Sequence, residues 1–114
     1  MMTTGSGAGT NPVAAMSPGL ATTVPDSLVM YMTGSDWECY EVTDVSFTVP
    51  ADFTSLFVSS DRGGATKDWT VFQIDERTLP VPASTGPIAS TETSTGTAAC
   101  VATPFTAVLA IAPR

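Results

Sequence analysis

The side chains of this sequence that could do chemistry are few, and their spacing suits none of the usual reactions. Asp36, Glu38, Glu41, Asp44 and Asp52 gather acid within seventeen residues. Clustered carboxylates are the raw material of a Ca²⁺ site or of a paired-carboxylate hydrolase. The spacing matches no calcium-binding loop, and on a strand Glu38 and Glu41 project to opposite faces. A solvated negative face is therefore expected, with no metal and no cofactor. Lys67 is the only lysine, so any Ser/Lys nucleophile pair would have to use it. It sits between acids in a Gly-rich stretch, where a surface position fits better. Gly63-Gly64 lacks the Lys-Ser/Thr and the following helix that would make it a phosphate cradle. The chain contains no histidine, which excludes an imidazole base, a Ser/His or Cys/His pair and a histidine metal ligand. No catalytic residue is assigned, and the protein is expected not to be an enzyme.

Two sets of residues could instead bind. Trp37 and Trp69, with Tyr40 and Phe72, could form an aromatic surface for a sugar or a protein, against the alternative that they fill the core. Cys39 and Cys100 are too few for a disulfide framework and too far apart for a CxxC site. Buried free thiols are the expected state, with a late-forming disulfide as the alternative. The charge balance narrows the partners further. Four basic residues stand against eleven acidic ones, for a net charge of −7, which disfavours nucleic acid and anionic lipid. Charged residues make up only 13% of the chain, and residues 26–92 hold every acid. Residues 1–25 and 93–113 carry no charged side chain and are suited to burial.

The elements that must position these residues read as strands. Thr supplies 19 residues and Ser 11, while the strong helix formers are scarce. Residues 1–25 are rich in Gly, Ala, Thr and Pro and read as an extended N-terminal arm, whose Met2, Val13, Met16, Leu20 and Val24 would seat on a partner. The body, residues 26–114, opens with an alternating strand over 28–33. Turns are expected at Gly34-Ser35-Asp36 and Asp61–Ala65, and a bulge near Thr43-Asp44. Another strand over 69–74 ends at Asp75-Glu76-Arg77. Residues 83–99 read as a long, exposed, low-complexity loop. The closing run CVATPFTAVLAIAP is apolar on both faces, as in a central strand covered on both sides. Seven or eight short strands with turns every 8 to 12 residues predict an all-β fold, a small antiparallel, jelly-roll-like β-sandwich or barrel.

Residues 46–60, SFTVPADFTSLFVSS, resemble the strand–turn–strand corner written FTVPAGVTSLTV in β-rich phage tail and bacterial surface domains. In type, with an uncharged arm, a compact β body and no enzymatic constellation, the chain also resembles small phage capsid decoration, or cement, proteins. That resemblance implies a virion structural protein whose partners are the major capsid protein or other virion subunits. It also implies a homo-oligomer, with a trimer favoured. The alternative is a carbohydrate- or receptor-binding module of a viral fibre, tail or cell surface, using Trp37 and Trp69. No stretch approaches the roughly 20 apolar residues of a membrane helix, and no signal peptide is recognised. The expected route is synthesis in a host cytoplasm and residence in the virion.

Overall fold

A computed structural model describes residues 2–6, 9–10, 12–38, 44–62, 68–95 and 101–114. Ten strands run in chain order: β1 (Met2–Ser6), β2 (Gly9–Thr10), β3 (Val13–Ser17), β4 (Ser27–Glu38), β5 (Asp44–Phe47), β6 (Thr54–Arg62), β7 (Asp68–Leu79), β8 (Ile88–Thr95), β9 (Val101–Ala102) and β10 (Phe105–Ile111). They form two antiparallel sheets, which makes the protein an all-β sandwich. The larger sheet has the order β1-β10-β4-β7-β6, with β2 and β9 off that path, and the smaller has the order β3-β8-β5. The core lies between the sheets. Val29, Tyr31, Val71, Leu79 and Val108 of the larger sheet meet Val13, Ala15, Val45, Phe47 and Ile88 of the smaller.

The expected arm is part of this sandwich. β1 pairs with β10 along the edge of the larger sheet, and β3 pairs with β8 as an edge of the smaller one. Val13 and Leu20 are 3% and 6% exposed in the protein's own core, so neither is offered to a partner. Met2, Met16 and Val24 remain exposed. The uncharged segment was suited to burial, and its place of burial is its own fold.

Three further expectations need correction. Gly34-Ser35-Asp36 is no turn, because β4 runs through it in unbroken register with β7 from Ser27↔Leu79 to Glu38↔Asp68. Gly34 lies opposite Phe105 of β10, and a Cβ at position 34 would clash with Cζ and Cε1 of that ring. The glycine makes room for an aromatic neighbour across the strands. β7 likewise continues past Asp75-Glu76-Arg77 to Leu79. Residues 88–95, expected to be loop, form β8, the central strand of the smaller sheet. There Ile88, Ser90 and Glu92 point inward between outward Ala89 and exposed Thr93, an alternation disguised by its Ser/Thr composition.

The corner after β5 forms as its sequence implies. Phe53 donates its backbone N–H to the Pro50 carbonyl at 3.1 Å, and Asp52 takes a positive φ of 66°. The related corners place glycine at this position, and aspartate is among the few other residues that tolerate this conformation.

Candidate functional site

The three inner strands of the larger sheet, β10, β4 and β7, are apolar on the wrong side for a solitary domain. On β4 the inward residues are Val29, Tyr31, Thr33 and Ser35, all buried, while Leu28, Met30 and Met32 point outward and are half-buried. On β7, Val71, Gln73 and Asp75 face in, and Phe72 and Ile74 face out. On β10, Thr106 and Val108 face in, and Phe105, Ala107, Leu109 and Ile111 face out. Strand register aligns these outward side chains into rows. Ala107, Met32, Ile74 and Phe57 form one; Met2, Leu109 and Met30 begin a second that ends at Glu76 and Thr54; Phe105, Gly34 and Phe72 form a third. Phe57 and Phe72 pack with ring centroids 6.4 Å apart.

The result is an apolar sheet face with Glu76 inside it and Asp36 and Asp61 at one end. Phe105 is 52% exposed, Phe57 50%, Met2 62% and Ile111 44%. Among the described residues nothing covers this face. The doubly apolar closing strand therefore has its second face open, contrary to the expectation that both are covered. Patches of more than a few hundred Å² are uncommon on monomers and mark interaction surfaces.

The inward face is the polar one. Tyr31 stands opposite Asp75 in the register; its hydroxyl donates to the Ala15 carbonyl at 2.9 Å and accepts from Ser90 Oγ, 3.2 Å away. Asp75 is fully buried and takes two bonds from Gln73 Nε2, at 3.0 and 2.8 Å. Burial pushes its carboxyl above the usual carboxylate range, opposed by the hydrogen bonds from Gln73 and Ser55. Burial also raises the Tyr31 hydroxyl, which the Ser90 bond opposes and the charge of Asp75 reinforces. Glu92 is buried as well. Sequence reasoning missed this set, because acids in a Ser/Thr-rich chain read as solvated; strand parity is the only signal that points Asp75 and Glu92 inward.

Of these groups Tyr31 joins the two sheets, and none of them lines either of two surface cavities. One, of about 300 Å³, lies beside the 50–53 corner, between Arg77 and Pro87–Ala89. Arg77 Nη1 stands 3.8 Å from Asp52 Oδ2 there, an exposed pair worth little. The other, of about 180 Å³, is formed by 21–24 and Ala110. Among the described residues no three acidic or cysteine side chains converge on a metal position, and no helix is long and apolar enough to cross a membrane.

The remaining sequence candidates fall as follows. Trp37 and Trp69 are directly paired across β4 and β7, so the structure brings their backbones together. Cys39, Cys100, Tyr40, Glu41, Thr43 and Lys67, and with them the thiol question and the expected bulge and glycine turn, lie outside the described residues. Asp36, Asp44 and Asp52 are exposed, in keeping with a solvated acidic surface. Comparison with protein-family models, curated proteins and solved structures gives no match to this chain.

Proposed function

We propose that the protein is a non-enzymatic virion component that decorates or cements a capsid, and that the apolar outer face of its larger sheet is the surface laid against the capsid. The observation that carries this reading is the reversed polarity of β4, β7 and β10, which spend polar residues on the interior and leave Met30, Met32, Ile74 and Leu109 on the outside. A sheet with helices or a second sheet on both sides is apolar on both faces, and among the described residues only one cover is present. The docking surface is then a folded sheet, in place of the extended N-terminal arm expected from the sequence.

The test is to mix the purified chain with capsid shells assembled from the major capsid protein of the same virus. Co-sedimentation at a fixed ratio, with a raised temperature of shell disruption, is expected; a chain that stays in the supernatant contradicts the reading. The second reading, a carbohydrate- or receptor-binding module, draws support from the Trp37↔Trp69 pairing. It predicts glycan binding by the isolated chain that is lost in folded Trp37→Ala and Trp69→Ala variants.

A further inference from the structure

Among the described residues, β6 closes one side of the larger sheet and pairs only with β7. An edge strand presents a row of unpaired backbone donors and acceptors, and soluble proteins blunt such edges with Pro, Lys, bulges, charges or a covering loop. In Thr54–Arg62 there is no Pro, Gly or Lys, and its only charged residues, Asp61 and Arg62, lie at the far end. The register shift at Ser55/Phe57 disturbs only the start of the strand, and from Phe57 to Arg62 the pairing with β7 is regular. Residues 54–61 are exposed on both faces, with Leu56 at 56%, Phe57 at 50% and Val58 at 56%. This is the pattern of a strand waiting for a neighbour.

We infer that the neighbour is a second copy of this chain, joined by antiparallel β6–β6 pairing about a two-fold axis near Val58 to give one continuous sheet. Charge selects both partner and direction. With Val58 opposite Val58, Phe57 meets Ser59, Leu56 meets Ser60 and Asp61 meets Ser55, so no like charges face each other. The two Asp61 carboxylates then stand about 20 Å apart, beyond the Debye length of about 10 Å at 0.1 M salt. A parallel pair would stack Asp61 on Asp61. The strip between Thr54 and Ser60 carries no charge, so it offers nothing to a charged partner and matches an uncharged copy of itself. An isologous edge contact closes as a dimer, in contrast to the trimer that the resemblance to decoration proteins implies. A nine-residue edge with three half-exposed apolar side chains buries on the order of 900 Å² in total, in the weak range of interfaces, which suits a reversible monomer–dimer equilibrium. The inference concerns the isolated chain and does not depend on what the outer face meets.

Sedimentation velocity of the full chain over a concentration series tests it. A monomer–dimer equilibrium is expected. It should tighten as salt rises, because the copies carry −7 each and screening removes their mutual repulsion. Val58→Lys, which sets ammonium against ammonium at the axis, should weaken dimerisation about tenfold or more, with the fold checked by circular dichroism. If that variant fails to fold, Leu56→Lys serves with the same expectation. A chain that stays monomeric to about 1 mM overturns the proposal. So does a dimer that survives the β6 substitution and is lost on Met30→Lys, which would move the contact to the sheet face.

Discussion

Tyr31 and Asp75 show how a polar residue can serve as a core residue. The Tyr31 hydroxyl reaches across the sandwich to Ala15 and Ser90, linking the central strand of one sheet to two strands of the other. Tyr31→Phe leaves that carbonyl short of a donor and should destabilise the fold by about 1–2 kcal/mol in urea titration. Asp75 carries the pH dependence. Its folded-state pKa is raised, so the protonated form is favoured in the fold, and this contribution is full below the unfolded pKa and fades as pH rises through the folded one. Acidification from neutrality towards the carboxylate range should therefore raise the melting temperature of the wild type relative to that of Asp75→Asn, whose profile lacks this component; parallel profiles would contradict the assignment. None of this was legible from composition, where every acid reads as surface. Gln73 and Asp75 could be placed only by following strand parity from Val71.

At the scale of the elements, alternation located most strands correctly and misjudged their limits. Gly34 looks like a turn residue because glycine usually punctuates, whereas here it yields space to Phe105 on the paired strand. Gly34→Ala should cost about 1–3 kcal/mol through overpacking, and much of that cost should vanish in a Phe105→Ala background. Additive effects measured by chemical denaturation would show that the two do not meet. The same lesson holds for β8, whose Ser/Thr run hid a strand, and for residues 1–25, whose lack of charge reflects their place in the sandwich. Removing residues 1–17 takes an edge strand from each sheet, with Val13 and Ala15 from the core. Loss of cooperative unfolding is expected on calorimetry, whereas a detachable arm would leave the transition intact.

For the whole molecule, the sequence announced its sandwich through β-branched residues and period-two patterning, but not which face of each strand would look inward. The apolar face of Leu28, Met30 and Met32 is the natural choice for a core, and the structure turns it outward, because β3, β8 and β5 cover the other side. That reversal underlies the proposed assembly role, and the protein's methionines report on it directly. Met2, Met30 and Met32 lie on the outer face of the larger sheet, while Met16 is exposed on the opposite side of the sandwich. Sulfoxide formation follows access of oxidant to the thioether. The decisive measurement is methionine oxidation, followed by mass spectrometry, on the chain free and bound to the capsid. The account predicts that Met2, Met30 and Met32 lose reactivity on the particle while Met16 keeps it; unchanged reactivity at those three, or protection of Met16 in their place, would contradict it.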